Sequence, residues 1–297
     1  MDDLDLYHKV MQAGPEGMWE KAIGLLEKRL AQEDDKGADT LERLGQLYRK
    51  IGNLSAAAES YKRLHRMQPT DVMAAYLHAI LTGAPSEALD ASYRPAPFVR
   101  RADFLLPVER EALFQVALQH QAEFAPLPVY DYAHEGDEPT PNYNLERRHQ
   151  LGLLNHADVS SLLTPKVLTI LPDVLPALHV RSYPIGDINT QLTLMHHGHF
   201  GKPHRDDVDE SNVVVFLYYF HTHPKMFTGG DLLLYDLDSE HSMLHPGQFT
   251  RIRHEDNVLL LFPAMYYHEI TQVTCASDTF EHGRFAITGH IPMTPRD

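Results

Sequence analysis

Hydrophobic and polar positions follow two different patterns along the chain. Residues 1–90 are rich in Ala, Leu, Glu, Lys and Gln and hold few β-branched residues, a composition that favours helices. A further helix is predicted over Pro107–Glu123, where Pro and acidic residues precede apolar residues at helical spacing. From about residue 178 the apolar residues fall into short runs separated by Gly, Pro, Asn or Asp, which predict strands. Eight such runs are present: LHVRSYP, NTQLTLM, NVVVFLYYF, GDLLLYDL, FTRIRH, NVLLLFP, HEITQV and GRFAITGHI.

The order of these patterns predicts an α+β protein in which helices precede an antiparallel jelly roll, with further helices backing one sheet. The stretch Tyr93–Phe98 contains two prolines and marks the boundary, so the predicted domains are 1-92 and 98-297. Residues 126–145 contain four prolines and several acidic residues, which predict a loop. A loop of that length inside a domain is usually functional or disordered.

Residues 40–71 of the helical region resemble a tetratricopeptide repeat. The small residues Gly45 and Ala57 would let two helices approach closely, and Tyr48 and Tyr61 would fill the space between them. Because one repeat cannot bury its own apolar face, neighbouring helices are expected to pack on it. An ordinary bundle of helical hairpins is the alternative.

The chain is acidic, with 26 Lys and Arg against 41 Asp and Glu and a formal net charge of −15. No nucleic-acid or membrane partner is therefore expected. The single Cys275 excludes an internal disulfide framework and a Cys-based zinc site. The acidic start, MDDLDLYHKV, lacks the features of a secretory signal, and no apolar run reaches 18 residues. A cytoplasmic location is expected.

Histidine is abundant, with 20 residues, twelve of them after residue 190. His204 and Asp206 lie two positions apart, so in an extended chain both point to the same side and can hold one metal ion. His268, after the apolar strand NVLLLFP, is the candidate third ligand. Two imidazoles and one carboxylate leave three adjacent coordination positions open, as in non-haem Fe(II) oxygenases. An H-x-D triplet alone is weak evidence in a chain so rich in His and Asp.

The order of motifs over residues 180–297 carries more weight than the triplet. It reads HRD, VVVFLYYF, TGGDLLLY, LLLFP, a histidine and GRFAITGHI. This order resembles the Fe(II)- and 2-oxoglutarate-dependent dioxygenases, in particular their prolyl-4-hydroxylase-like branch.

The resemblance implies a double-stranded β-helix, a jelly-roll or cupin-like fold, that uses Fe(II), 2-oxoglutarate and O2, with ascorbate as a candidate reductant. It implies that His204, Asp206 and His268 are the catalytic metal ligands. Arg284 would bind the far carboxylate of 2-oxoglutarate, for which a planar guanidinium is suited. Tyr219 would share that carboxylate.

Several positions stay open. The family commonly carries a Tyr before H-x-D, whereas this chain has LTLMHHGHFGKPH, so the residue that takes that role is unassigned. Tyr219 has a second interpretation as a core residue beside Tyr218. Gly229-Gly230 is predicted to form a tight turn or bulge. The other ten histidines after residue 190 are interpreted as surface or turn residues.

The resemblance implies a hydroxylase of an amino-acid side chain, Pro or Asp first, in a peptide or protein held partly by the N-terminal repeats. A small or carrier-bound metabolite is the alternative substrate, in which case the repeats would serve docking or a homodimer. A third hypothesis, an interaction protein with a degenerate oxygenase fold, is disfavoured by the intact ligand set. A nucleic-acid substrate is not expected, because residues 91–297 hold 15 basic against 26 acidic residues.

Overall fold

The computed structural model describes residues 16–31, 37–89, 91–127, 129–131, 140–142, 148–207, 212–238 and 243–294. Packing separates the chain into two units. The first unit holds the described residues up to Phe98 together with Pro176–His179 and Leu234–Ile252. The second unit holds Val99–Leu175, Val180–Leu233 and the described residues from Arg253 onward. The predicted domain limits, 1-92 and 98-297, stay a prediction.

The described helices are α1 (Glu16–Leu30), α2 (Ala38–Ile51), α3 (Leu54–Met67), α4 (Val72–Thr82), α5 (Pro107–Gln119) and α6 (Ala157–Val174). The described strands are β1 (Tyr93–Arg94), β2 (Val99–Ala102), β3 (Ala125–Pro126), β4 (Val129–Asp131), β5 (Thr140–Asn142), β6 (Arg148–His149), β7 (Leu151–Leu154), β8 (Asn189–Met195), β9 (Phe200–His204), β10 (Asn212–Phe220), β11 (Phe227–Gly229), β12 (Leu232–Asp238), β13 (Met243–Ile252), β14 (Val258–Pro263), β15 (His268–Ile270), β16 (Val273–Cys275) and β17 (Arg284–Pro292).

Helices α1 to α4 confirm the predicted helical region of the first unit. Asn53 and Asp71 precede α3 and α4, and their side chains accept hydrogen bonds from backbone N–H groups of the first turns. Gly45 of α2 lies against the ring of Tyr61 of α3, where a Cβ would be only 2.6 Å from the ring. The small residue therefore permits the close helix approach that the repeat pattern predicted.

A buried ion pair joins α2 to a strand of the first unit. Arg49 is 1% exposed, and its Nη2 lies 2.6 Å from Oδ1 of Asp236 on β12, which is 0% exposed. The Nε of Arg49 donates to Thr250 Oγ1 on β13 at 2.9 Å. Tyr93 of β1 donates its hydroxyl to the same aspartate, as does the backbone N–H of Ala96. Both charges are thus paired inside the unit.

The second unit is built on an antiparallel sheet with strand order β2-β14-β10-β17-β8-β7-β3. Along β10, Tyr218 and Phe220 face helix α5, where Phe114 packs edge-on against Phe220. The alternate residues, including Tyr219, face the opposite side, because strand side chains alternate. Strand β9 pairs with β15 and with β6, and β11 pairs with β16. The prediction of an antiparallel fold with helices backing one sheet is confirmed.

Helix α6 and the turn after it, Ala157–Leu178, are apolar and long enough to cross a membrane by length and composition alone. Val159, Leu163 and Val167 of α6 are buried at helical spacing. Ser160 bonds to Thr190 of β8 through their hydroxyls at 2.7 Å. These contacts are those of a core helix that packs on the sheet.

Two predicted elements differ from the structure. The run LHVRSYP was expected to be a strand, but a short 3-10 helix, Leu175–Leu178, ends there and irregular chain follows. His179 has a positive φ of 56°, which ends regular extended structure. In the predicted loop 126–145, β4 and β5 pair as a short hairpin, and most other residues of that loop lie outside the described residues.

Candidate active site

The end of β9 and the start of β15 bring together the three predicted metal ligands. His204 is the last residue of β9, Asp206 follows it, and His268 is the first residue of β15. His204 and His268 are direct partners in the antiparallel pairing. Directly opposed residues point to the same face of a sheet, so both imidazoles reach the same side. A backbone hydrogen bond from Asp206 to Ala264 O at 3.2 Å holds the turn that carries the carboxylate.

The three side chains present their donor atoms to one another. His204 Nε2 lies 3.7 Å from Asp206 Oδ1, and His268 Nε2 lies 3.5 Å from Asp206 Oδ2. The Nδ1 atoms face backbone carbonyls: His204 contacts Lys202 O at 2.7 Å and His268 contacts Tyr266 O at 3.2 Å. With Nδ1–H donating to these carbonyls, each Nε2 keeps its lone pair for a metal ion.

Burial and local charge set the protonation states of the cluster. Burial alone would raise the pKa of Asp206, but His268 and His204, with a hydrogen bond from His290, hold this pKa well below its usual range. Burial, with the charge of His204, lowers the pKa of His268 to about 4. An ionised carboxylate and a neutral imidazole are the forms that bind metal at neutral pH.

The donor set fits ferrous iron. One donor atom from each of His204, Asp206 and His268 lies within 4.8 Å of the others. Two imidazole nitrogens and one carboxylate suit Fe(II), and the free thiol of Cys275 is not part of the group. Three donors leave coordination positions for further ligands.

A second buried group contains Arg284 and Tyr219. Arg284 is 1% exposed; its Nε donates to Gly230 O at 2.6 Å, and its Nη1 lies 3.9 Å from the sulfur of Met195. The Arg284 Nη2 and the Tyr219 hydroxyl are buried, lie close enough to shift each other's pKa, and make no well-formed hydrogen bond among the described residues. The guanidinium lies 5.2 Å from the centre of the Tyr219 ring. Two adjacent unsatisfied donors are what a ligand carboxylate requires.

The glycine pair predicted as a turn supports this group. Gly229 and Gly230 both have a φ of 69°, which confirms the turn. A Cβ on Gly230 would lie 2.5 Å from Cδ of Arg284. Glycine at this position therefore makes room for the arginine side chain.

Comparisons with known families agree with the geometry. Residues 190–292 match the family described as the 2OG-Fe(II) oxygenase superfamily. This region is an Fe(II)- and 2-oxoglutarate-dependent oxygenase domain. The match agrees with the oxygenase activity that the sequence predicted for this region, and the superfamily implies Fe(II), 2-oxoglutarate and O2. Residues 40–73 match a tetratricopeptide repeat, which confirms the predicted repeat.

Individual relatives share low sequence identity with this chain. An uncharacterized PKHD-type hydroxylase of Synechocystis sp. is 26% identical over 207 residues, which are 68% of this chain and 65% of that protein. The chain thus spans less than two thirds of that relative. A Pseudomonas putida prolyl-4-hydroxylase structure is 16% identical, with a TM-score of 0.46 over 66% of this chain and 93% of that one. A Trichoplax adhaerens prolyl hydroxylase, solved with a peptide fragment, is 16% identical, with a TM-score of 0.48 over 66% and 83%.

Sequence reasoning missed Arg148 of the oxygenase domain. Arg148 pairs in register with Gly201 of β9, and a bulge in β9 places Gly201 on the same face as His204. Its Nε donates to Gln150 Oε1 at 2.9 Å. Burial lowers the pKa of Arg148, and the charge of Asp206 raises it. A partly buried cation therefore lies near the metal ligands, although nothing in the local sequence indicated it.

The histidines of the oxygenase domain need a correction. His199, His221 and His254 were interpreted as surface or turn residues, but they are 8%, 5% and 1% exposed. His254 bonds to Phe285 O through Nε2 at 2.8 Å, and His199 stacks on His149 at 3.8 Å between ring centroids. The interpretation is wrong for these residues, because burial depends on long-range packing that spacing does not encode.

The structure also bears on which residue takes the place of the family's tyrosine before the H-x-D motif. Met195, at the end of β8, pairs in register with Arg284 and is fully buried. Its sulfur, rather than a tyrosine hydroxyl, lies beside the guanidinium. This position of the oxygenase domain therefore offers apolar packing and a weak acceptor.

Proposed function

We propose that the oxygenase domain hydroxylates an amino-acid side chain, Pro or Asp first, in a peptide or protein. His204, Asp206 and His268 would hold the iron, and Arg284 and Tyr219 would bind the far carboxylate of 2-oxoglutarate. Bound iron and cosubstrate supply the oxidising chemistry, in which O2 is consumed and succinate and CO2 are released. The observation that carries the proposal is an open three-ligand cluster in the same unit as a buried pair of unsatisfied donors.

Strand β17 supports the placement of a slender ligand between the metal-ligand cluster and the pair formed by Arg284 and Tyr219. Arg284, Ala286, Thr288 and His290 share one face of this strand, because side chains alternate at period two. His290 contacts Asp206 of the metal cluster, and Arg284 belongs to the donor pair. Only the short side chains of Ala286 and Thr288 lie between them on this face. A molecule that chelates metal at one end and carries a carboxylate at the other fits this arrangement.

The chain's own residues would contribute binding and orientation. Arg284 would supply the guanidinium for the far carboxylate, and its hydrogen bond to Gly230 O fixes its direction. Tyr219 would donate its hydroxyl, since burial raises its pKa and keeps it protonated. The apolar residues around both groups exclude water and so strengthen these contacts.

The chemistry is tested by adding Fe(II) and 2-oxoglutarate without oxygen and recording the visible spectrum. A weak charge-transfer band is expected in the wild-type protein and is lost in His204→Ala. Arg284→Gln should keep metal binding but raise the 2-oxoglutarate concentration needed for the band. If wild type shows no band, or if His204→Ala retains it, the proposed metal site is wrong.

The tetratricopeptide repeat supports a peptide or protein substrate, because such repeats present extended binding surfaces. Arg63 and Arg66 of α3 are exposed and available to a partner. The charge reversal Arg63→Glu/Arg66→Glu should lower kcat/KM for a peptide substrate without changing 2-oxoglutarate turnover in its absence. Arg101→Glu, at an exposed position of the second unit, is the matched control. Equal kcat/KM in all three proteins would argue against substrate binding by this face.

A small or carrier-bound metabolite is the second candidate substrate. Mass spectrometry of candidate peptides and metabolites for the gain of one oxygen atom separates the two classes. The predicted domain limits, a homodimer, ascorbate as reductant and a cytoplasmic location stay predictions beside this proposal.

A further inference from the structure

A third imidazole, that of His290, lies at the metal-ligand cluster beside those of His204 and His268. His290 Nε2 is 3.3 Å from Asp206 Oδ2, and its side chain is 17% exposed. The residue lies on β17, in register with Val215 of β10 on one side and Asn189 of β8 on the other. Because β17 is hydrogen-bonded along both edges, the backbone that carries this imidazole is held firmly in the sheet.

The two oxygens of Asp206 have different neighbours. Oδ1 faces His204 Nε2 at 3.7 Å, whereas Oδ2 faces both His268 Nε2 at 3.5 Å and His290 Nε2 at 3.3 Å. A hydrogen bond to Oδ2 occupies a lone pair that this oxygen would need to bind metal. The carboxylate would then bind through Oδ1 alone.

The number of open positions decides between two roles for His290. Three protein ligands leave three positions, which a chelating cosubstrate and O2 require together. A fourth protein ligand from the His290 imidazole, or a carboxylate bound through both oxygens, would close one of them. A hydrogen bond from His290 to Asp206 prevents the carboxylate from binding metal through both oxygens. It also keeps the His290 imidazole off the metal.

We propose that His290 is a positioning residue that donates from Nε2–H to Asp206 Oδ2 and so restricts the carboxylate to binding metal through one oxygen. The proposal rests on the proposed function, since it takes His204, Asp206 and His268 as the metal ligands. Groups outside the coordination sphere that orient ligands commonly change metal affinity by about 10–100-fold.

The experiment measures Co(II) affinity of the metal-stripped full-length protein. His290→Leu removes the donor and should weaken Co(II) binding by roughly 10–100-fold. His290→Gln retains an N–H donor at similar reach and should recover most of that loss. His197→Leu removes an exposed imidazole of the same unit and serves as the control. Circular dichroism establishes that each variant is folded.

X-ray absorption of the Co(II) proteins supplies a second readout. The number of imidazole ligands should be the same in wild type and His290→Gln. One imidazole fewer in the variant would make His290 a ligand and overturn the proposal, as would equal Co(II) affinity in wild type and His290→Leu. A wild type that binds Co(II) but shows no 2-oxoglutarate turnover would instead overturn the proposed function alone.

Discussion

Asp236 in the first unit is fully buried and Asp206 in the second is partly buried, and the two carboxylates differ in the groups that they face. Asp236 accepts hydrogen bonds from Arg49, from the Tyr93 hydroxyl and from the Ala96 backbone. Asp206 instead faces three imidazole nitrogens at 3.3–3.7 Å, those of His204, His268 and His290. Of these two clusters, only the second has geometry that a bound metal ion would complete.

The comparison of Asp236 with Asp206 indicates that residue type alone does not identify a ligand site. A buried ion pair with all partners inside the chain serves the fold, and breaking it costs stability. Leaving a buried polar group without a hydrogen bond lowers the stability of the fold. A group of this kind in a native structure is typical of a ligand site. Arg284 Nη2 and the Tyr219 hydroxyl belong to this second class among the described residues.

The same substitution at the two aspartates should have opposite consequences. Asp206→Ala should abolish turnover, an effect larger than the roughly 10–100-fold typical of groups outside the coordination sphere, while leaving the metal-free protein folded. Asp236→Ala should lower the melting temperature and leave the visible band of the folded fraction intact. Parallel assays of turnover and thermal unfolding measure both. Loss of turnover without loss of stability in Asp236→Ala would break the distinction.

Arg49 and Asp236 should contribute to the free energy of unfolding as a coupled pair. Arg49→Met leaves a buried unpaired carboxylate and should lower the free energy of unfolding by about 3–5 kcal/mol. The double variant Arg49→Met/Asp236→Leu buries neither charge and should recover a large part of that loss. Urea unfolding of the single and double variants measures the coupling. Additive effects would show that the two side chains do not depend on each other.

Much of the fold followed from local pattern. Helical composition, capping residues such as Asn53 and Asp71, and alternating apolar runs act over a few residues, so α1 to α5 and most strands were predictable. The run LHVRSYP failed because its alternation is not matched by strand pairing. Leu234–Ile252 groups with the helices, and the Arg49–Asp236 pair within this group joins residues far apart in sequence.

The site was predictable where a motif fixes spacing. His204, Asp206, His268, Arg284 and Tyr219 were all named from the order of motifs. The structure places Tyr219 and Arg284 on the predicted strands, whereas β9, which ends at His204, was not predicted. Their roles stay predictions until tested. The position of Arg148 follows from strand register and from a bulge in β9, which leave no signal in one sequence. Alternation along β17 places His290 on the face of Arg284, but its nearness to Asp206 depends on how the strands pack.

Two neighbouring tyrosines differ in whether the hydroxyl group has a hydrogen-bond partner among the described residues. The Tyr218 hydroxyl donates to Asn257 Oδ1 at 2.9 Å, whereas the Tyr219 hydroxyl has no partner among the described residues. Tyr218→Phe should lower the free energy of unfolding by about 1 kcal/mol, the usual contribution of one hydrogen bond. Tyr219→Phe should leave stability unchanged but raise KM for 2-oxoglutarate roughly tenfold, because a bond to a charged group contributes about 1.5–3 kcal/mol. The reverse assignment of effects would place the cosubstrate elsewhere.

The smallest expected effect concerns His199, a buried group outside both clusters. Burial, with the charges of His149 and His196, lowers the pKa of His199 to about 4, whereas the unfolded chain titrates near 6.5. Since the unfolded state binds more protons between these values, stability falls as pH decreases from about 6.5 to about 4. His199→Phe should make this fall shallower without abolishing it, because the pKa values of His254 and His268 are also lowered. Melting temperatures at pH 7 and pH 5 measure the change, and the exposed His197→Gln is its control. An unchanged slope in His199→Phe would mean that this imidazole is already accessible to solvent in the folded protein.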